Sequence, residues 1–374
     1  MKIIEVCPRY APYIGGVETH VKELSERLRK KFNLEVYTTD STGKLKKTEI
    51  IDGIKVSRFR SFAPKNSYYF SLDLLIALNK SNFDILHAHS YHALPLFISS
   101  LSKKTRTKFI TTFHYYGCGY STFRSFLHMP YTLLGYHIVN SADKIICVSK
   151  NEKETIIKKF PHTNEKIIHI PNGVDYDRFA NSESSFIENP FNLNMFNILY
   201  VGRLSTEKNL KILFFAYKEL QKDFHNIKLT IVGEGPEYKK LQKLAKKLSI
   251  TNIEWVGKVS QKDVVHYYKS ADIFVLPSKK EIQGISILEA MAAGLPIITT
   301  KFSGVEEIVR PNTGLIFENN DYLDLANKIS TLIEDEDLRK EIAKNAQKHV
   351  KKNFDWEVLT PKYIKLFEEI GENE

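Results

Sequence analysis

Two acids, Glu281 and Glu289, lie in the stretch PSKKEIQGISILEAMAAGLP with seven residues between them. A short loop with Gly284 and an Ala-rich helix fill the interval, and the flanking runs ADIFVLP and GLPIITT read as buried strands. In a parallel α/β sheet this pattern puts both acids at the carboxyl edge, where ligands bind. Other polar residues that follow predicted strands belong at the same edge. Arg203 lies at the end of NILYVGRL and Lys208 just after it, Glu234 and Gly235 sit in VGEGP, and Gly257 and Lys258 sit in WVGKVS. Paired cations suit a diphosphate, whose two charges need paired donors. A carboxylate accepts from two vicinal hydroxyls, as a sugar or a ribose presents them. Taken singly, Arg203 and Lys208 read equally well as surface salt-bridge residues. Their joint placement points to a ligand.

The first half repeats the logic more thinly. KIIEVC reads as a strand, PRYAPYIGG as a loop reaching Gly15 and Gly16, and VETHVKELSERLRKK as a helix with Val17, Val21, Leu24 and Leu28 on its apolar stripe. Strand, Gly-rich loop, helix lets backbone N–H groups and a helix N-terminus meet a phosphate. A plain tight turn explains Gly15-Gly16 as well. DILHAHS runs into His87, His89 and His92, but no third ligand with fixed spacing stands beside the 87–89 pair, so no metal site is expected. His114 differs, because it follows the apolar strand in KFITTFHYYG and sits at another carboxyl end. A satisfied structural histidine is the alternative there. D-x-D occurs as Asp175–Asp177 and Asp335–Asp337, the first in a turn and the second in a helical acidic run, so neither reads as a metal site.

Strand–helix alternation in both halves predicts an α/β fold of two doubly wound domains whose carboxyl edges face each other across a cleft. The polar, irregular segment NSESSFIENPFNLN reads as the linker. The expected organisation is a first domain over 1–180, a linker over 181–195, a second domain over 196–352 and a last segment over 353–374. Asn172-Gly173 is expected to supply the backbone freedom of a turn.

Composition bounds the rest. The chain has 374 residues, 43% of them hydrophobic and 12% aromatic, which is enough for two cores and argues against disorder. No apolar run approaches the roughly 20 residues that span a bilayer. Three widely spaced cysteines, Cys7, Cys118 and Cys147, fit a reducing compartment and no disulfide framework. A cytoplasmic location is expected. The net charge of +10 reads as a Lys-rich solvated surface, as phosphate-bearing substrates or as attraction to an anionic membrane face. No nucleic-acid-binding module is recognised, so no nucleic-acid partner is expected. Aromatic segments at 61–83 and 119–140 read as helices packed on the sheet, with an acceptor groove or a lipid contact as the sharper alternative.

PYIGGVETH, IPNGVDYDRF, YVGRLSTEKN, IVGEGP, WVGKVS and EIQGISILEAMAAGLP occur in that order along most of the chain. In these motifs the sequence resembles the family 4 glycosyltransferases, with the two-domain GT-B fold. The resemblance implies a retaining, metal-independent transferase that takes a UDP- or GDP-sugar as co-substrate and needs no cofactor. It implies that Arg203 and Lys208 hold the diphosphate and that Gly15 and Gly16 approach the same phosphates. Glu289 would bind the ribose, and Glu281 the sugar hydroxyls, helped by backbone N–H groups near Gly284 and Ile285. Glu234 belongs to the donor site, and Gly257 and Lys258 lie near the base. His114 would lie against the sugar, so His114, Glu281, Arg203 and Lys208 are the candidate catalytic residues. The 353–374 helix would return to the first domain. The acceptor is a hydroxyl on a glycan, a lipid or a small molecule, with peripheral attachment at the inner membrane face fitting a lipid-linked one. Where the family usually reads E-G-F-G, this chain has Glu281-Ile282-Gln283-Gly284, so the donor sugar is not read from that loop. Two alternatives stay open: a nucleotide-sugar epimerase or hydrolase of related fold, and a non-catalytic subunit of a glycosylation complex.

Overall fold

KIIEVC, apolar but for its lysine and one acid, is the central strand of the first unit, buried from Ile3 onward. The computed structural model describes residues 1–115, 122–182, 195–302 and 304–372. They form two units, Met1–Asn172 with Glu357–Glu374, and Gly173–Trp356. In the first unit the elements are β1 (Lys2–Cys7), α1 (Gly16–Leu28), β2 (Asn33–Asp40), β3 (Thr48–Ile51), β4 (Ile54–Arg60), α2 (Leu72–Lys80), β5 (Ile85–His89), α3 (Leu94–Leu101), β6 (Lys108–Thr112), α4 (Thr122–Ser141), β7 (Lys144–Cys147), α5 (Lys150–Lys159) and β8 (Ile167–His169). The sheet order is β3-β4-β2-β1-β5-β6-β7-β8, and only the β3–β4 pairing is antiparallel. Strand order therefore reverses between β1 and β5.

Helix α1 buries more than its predicted stripe. Val21, Leu24 and Leu28 are fully buried, and so, nearly, are Glu18, His20 and Glu23. The polar residues on that face need partners inside the unit. The strand expected to run to His114 stops at Thr112, and His114 takes a left-handed φ of 49°.

The second unit contains α6 (Tyr176–Ala180), β9 (Phe196–Val201), α7 (Leu210–Leu220), β10 (Ile227–Val232), α8 (Tyr238–Lys247), β11 (Ile253–Gly257), α9 (Val264–Lys269), β12 (Ile273–Leu276), α10 (Ile285–Ala293), β13 (Ile297–Thr300), β14 (Leu315–Phe317), α11 (Tyr322–Glu334) and α12 (Glu336–Asn353). Its sheet is parallel throughout, in the order β11-β10-β9-β12-β13-β14. The core strands IFVL and IITT are buried along their whole length, as a parallel sheet covered on both faces requires. Leu210, Leu213, Phe214, Tyr217 and Leu220 of α7 are buried as one face. The last helix, α13 (Trp356–Glu372), belongs to the first unit from Glu357 onward.

The division differs from the sequence reading at its edges. Residues 173–182 and 353–356 belong to the second unit, and 183–194 of the expected linker lie outside the described residues. The reason is a short parallel bridge. Val174 donates to the Phe354 carbonyl at 2.9 Å, and Trp356 donates to the Val174 carbonyl at 3.1 Å. Gly173 is also needed for a different reason than expected. Its φ is not left-handed; instead a Cβ there would run into the indole ring of Trp356, which is fully buried. Space, not backbone freedom, demands the glycine. Gly173→Ala is expected to cost about 1–3 kcal/mol through overpacking. Thermal unfolding measures it, and an unchanged Tm would show that the ring moves aside freely.

Candidate active site

The second unit gathers the predicted residues along its carboxyl edge. Loops following β9, β10 and β11 are tied to one another beyond the strands. Gly202 donates to the Val232 carbonyl at 3.0 Å, Leu204 to Glu234 at 2.9 Å, Glu237 to Leu204 at 3.0 Å and Gly233 to Gly257 at 2.8 Å. Gly235 is required by this lacing, since a Cβ there would strike the Leu204 backbone. The Tyr200 hydroxyl donates to the Arg203 carbonyl at 2.9 Å and pins the turn that carries Arg203. Arg203, Glu234 and Lys258 are exposed, and Arg203 has no ion-pair partner among the described residues.

At the reversal between β9 and β12 the two sides of the edge meet. The Lys208 ammonium is ion-paired with a Glu281 carboxylate oxygen. Glu281 is 8% exposed and Lys208 20%, so water screens the pair only in part. The Lys279 N–H bonds the Glu207 carbonyl at 2.9 Å, which fixes the two loops side by side. Gly284 caps α10 with φ 68°, a conformation that a side chain strains, and it opens the helix at Ile285. The first N–H groups of α10 follow the Glu281 loop directly, with the positive end of the helix dipole. Glu289, one turn further on, accepts from the Tyr268 hydroxyl of α9 at 2.8 Å. Burial and the adjacent Glu289 hold the Tyr268 phenol well above its usual range, so it acts as a donor.

The sequence did not single out Asn209 and Ser278. Asn209 adopts a left-handed φ of 54°, is 3% exposed, and has no partner for either side-chain polar atom among the described residues. The Ser278 hydroxyl is likewise buried without one. Position was the available signal, because both follow strands and Asn209 is next to Lys208. Gln283 is 2% exposed, at the place where the family carries an aromatic.

In the first unit, Gly16 opens α1 and Gly15 is its extended N-cap. Neither has a left-handed φ. A Cβ on Gly15 would instead meet the Glu18 carboxylate, which Arg9 holds at 2.6 Å. His114 lies in a buried imidazole cluster that spacing did not reveal. His20 and His114 rings are 5.1 Å apart in an edge contact, and His89 and His114 are stacked at 5.9 Å. Glu5, fully buried in β1, takes His89 Nε2 at 2.7 Å and His87 Nδ1 at 3.0 Å. An acid inside the apolar run KIIEVC was the overlooked sign. Burial pushes the Glu5 carboxyl up, but His87 charge and hydrogen bonds from His87 and His89 outweigh it and hold it down at about 2. Burial pushes His89 down to about 4 and takes His20 and His114 well below their usual value. Donor atoms of His20, His89 and His114 lie within 4.8 Å of one another, as do those of Glu5, His87 and His89. Among the described residues these are the groups with the spacing to share a cation. His92, counted with them from sequence, is in neither group.

The chain matches the family model described as glycosyl transferases group 1 over residues 181–349, and the one described as glycosyltransferase family 4 over residues 14–178. It is 31% identical to an uncharacterized glycosyltransferase of Methanocaldococcus jannaschii, over 97% of each chain. It is 26% identical to an alpha-monoglucosyldiacylglycerol synthase of Streptococcus pneumoniae, over 77% of this chain and 68% of that one. In fold it is similar to Anabaena HepE in complex with UDP and glucose, with a TM-score of 0.82 and 21% identity over 99% of this chain and 100% of that one.

The imidazole cluster sets an acid limit on stability. With folded values below 6.5, His20, His89 and His114 stay neutral, and they take protons only on unfolding. Their contribution is complete above pH 6.5 and is lost as pH falls toward about 4, the His89 value. Glu152 acts oppositely. Its carboxyl is raised to about 7, so between 4.5 and 7 the native state holds an extra proton that offsets one of the three. The three imidazoles outweigh the one carboxyl, and His169 and His349, also lowered by burial, act in the same sense, so unfolding takes up protons and stability should fall, by roughly 2 kcal/mol between pH 7 and pH 5.5 from the cluster and Glu152. Denaturant midpoints near pH 7 and near pH 5.5 test this, and equal midpoints would refute it.

Proposed function

From the premise that the chain belongs to the family 4 glycosyltransferases, we propose that it moves a hexose or N-acetylhexosamine from a UDP- or GDP-sugar to a hydroxyl acceptor, with retention and without a metal. The observation that carries this is the Lys208–Glu281 pair at the point where strand order reverses in the second unit. Without a donor the two charges satisfy each other. A donor offers each a better partner: a diphosphate for the ammonium and vicinal hydroxyls for the carboxylate.

Arg203 and Lys208 take the diphosphate, and Glu289, steadied by Tyr268, takes the ribose. Glu281 and the first N–H groups of α10 hold the sugar. Gly257 and Lys258 lie on the base side, and Glu234 supports the same edge through its backbone tie to Leu204. Breaking the anomeric C–O bond leaves an oxocarbenium-like sugar and transfers the bonding pair to the diphosphate oxygen. Arg203, Lys208 and the helix N-termini stabilise that charge as it develops. In the family pattern Gly15 and Gly16 serve the phosphates and His114 serves the sugar. A neutral, buried His114 offers a nitrogen to a sugar hydroxyl and adds no positive charge beside the cationic transition state.

A lipid-linked acceptor at an anionic membrane face is the acceptor reading we favour. The relative named for monoglucosyldiacylglycerol synthesis supports it, as do the exposed Phe62, Phe70, Leu72 and Ile76 within one stretch of the first unit. No helix among the described residues is long and apolar enough to cross a membrane, so attachment would be peripheral.

Calorimetry with UDP, GDP and ADP is the direct test. UDP or GDP should bind with micromolar affinity after EDTA dialysis, and no binding by any of the three overturns the proposal. Lys208→Ala should lower kcat by on the order of 10²–10³. Glu281→Gln should abolish transfer while leaving the free nucleotide bound at least as tightly, because Lys208 is released. Wild-type kinetics from Lys208→Ala would remove the diphosphate role.

A further inference from the structure

His114 is held in the left-handed region with φ 49° and is 6% exposed. A bulky residue there costs on the order of 1–3 kcal/mol and persists only where its surroundings over-determine the backbone. On its N-terminal side, Tyr91 donates to the Phe113 carbonyl at 2.7 Å. On its C-terminal side is Tyr115, and helix α5 grips that residue at both ends. Glu152 Oε1 accepts the Tyr115 N–H at 2.5 Å, and the Lys159 ammonium donates to the Tyr115 hydroxyl at 3.0 Å.

A helix cap explains only part of this. Ser149 caps α5 and accepts the Glu152 N–H at 3.1 Å, and a glutamate three residues past the cap ordinarily reaches back to the cap's own N–H. Glu152 does bond the Ser149 backbone, but its two oxygens also take the Val148 N–H at 2.6 Å and the N–H of Tyr115, on a different strand's loop. It is completely buried to do so, and burial raises its carboxyl to about 7 against the pull of these three N–H groups. Lys159 is likewise drawn inward. Its ammonium lies over the rings of Tyr91, Tyr115 and Phe160 at 5.2–5.6 Å, and burial lowers its pKa. Neither is ion-paired among the described residues. Two ionisable groups, ten ångströms or so apart along one helix by its rise, are thus sunk into the unit at a cost that an exposed cap would avoid, and both converge on one residue.

We propose that Glu152 and Lys159 are positioning residues for His114: by holding Tyr115 at its N–H and at its hydroxyl, helix α5 fixes the backbone on which the imidazole stands. This rests on the role given to His114 in sugar transfer. Both act on His114 through Tyr115, the residue to which each is hydrogen-bonded.

Four variants test it: Glu152→Gln, Glu152→Asp, Lys159→Met and Tyr115→Phe. Lys159→Met keeps the apolar stem over the rings, and Tyr115→Phe removes the hydroxyl but leaves the N–H grip. Glu152→Gln should lower kcat by on the order of 10²-fold, as a displacement near 1 Å does, with the donor KM within about threefold. Glu152→Asp should recover part of the loss. Lys159→Met and Tyr115→Phe should each lower kcat by about tenfold, and the double variant should lose no more than either alone. Histidine-labelled NMR adds a readout independent of turnover. The His114 resonances should move in Glu152→Gln and in Tyr115→Phe, while those of exposed His225 stay fixed. Wild-type kcat together with unmoved His114 resonances overturns the inference. So does a kcat loss matched by an equal loss of folded protein. Should Glu152→Gln fail to fold, Lys159→Met and Tyr115→Phe decide alone. If the wild type binds no nucleotide, the functional reading falls while the NMR result still judges the grip on His114.

Discussion

A parallel sheet whose strand order reverses must leave a gap at its carboxyl edge. From β9 the chain crosses to β10 on one side, and from β12 it crosses to β13 on the other, although β9 and β12 are paired neighbours. The loops leaving those two strands therefore diverge, and nothing in the sheet itself fills the space between them. Each candidate site feature of the second unit follows from that constraint. Lys208 comes from one diverging loop and Glu281 from the other, and their ion pair spans the gap. The α10 N-terminus follows because the chain must turn back after Glu281. Gly284 follows because that turn needs a left-handed residue at the cap.

The first unit has the same reversal, between β1 and β5, but fills it differently. Glu5 on β1 bonds His87 and His89 on β5, directly across the strand pair where order changes. A carboxylate with no solvent contact is costly unless its partners return most of the solvation. Here two imidazoles do, and His20 and His114 pack their rings against His89 in turn. Substituting Glu5, His87 or His89 removes a hydrogen-bond partner from another member in a dry interior, so these three are coupled. The second unit keeps its charges half-open at the edge, ready to exchange partners. The first keeps its charge sealed and presents neutral rings.

Much of this was legible from residue order. Alternating strands and helices gave both sheets, and residues that follow strands gave Arg203, Lys208, Glu281 and Glu289, because in a parallel sheet strand ends share one edge. Relations across the sheet were not legible. His20, His89 and His114 come from α1, β5 and the loop after β6, and no local spacing links them; only the strand order β1-β5-β6 does. Glu152 was hidden in a helix-cap motif, S-x-x-E, whose ordinary local meaning is real and incomplete. Asn172-Gly173 reads as a turn in the sequence, because Asn-Gly usually is one. The real constraint on Gly173 is an indole more than 180 residues away in sequence, Trp356. Sequence periodicity reports a residue's own element; a partner brought in by topology leaves no periodic trace.

Ile282-Gln283 is where these two kinds of information meet. The sequence marks it as a departure, since the family carries Gly and an aromatic there, and the structure shows Gln283 buried at 2% exposure. An aromatic at a buried site asks for shape alone, whereas a buried amide asks for hydrogen-bond partners as well. Exchanging one for the other between Glu281 and the α10 N-terminus thus changes what the loop demands of its surroundings. In the function we propose, the Glu281 carboxylate and the Gly284 cap keep the general task of holding a sugar, and the residues between them are where one sugar would be told from another. A site that rejects a ligand lacking a required hydroxyl does so because its own polar group is left unpaired, and an amide imposes that penalty where a phenyl ring imposes almost none.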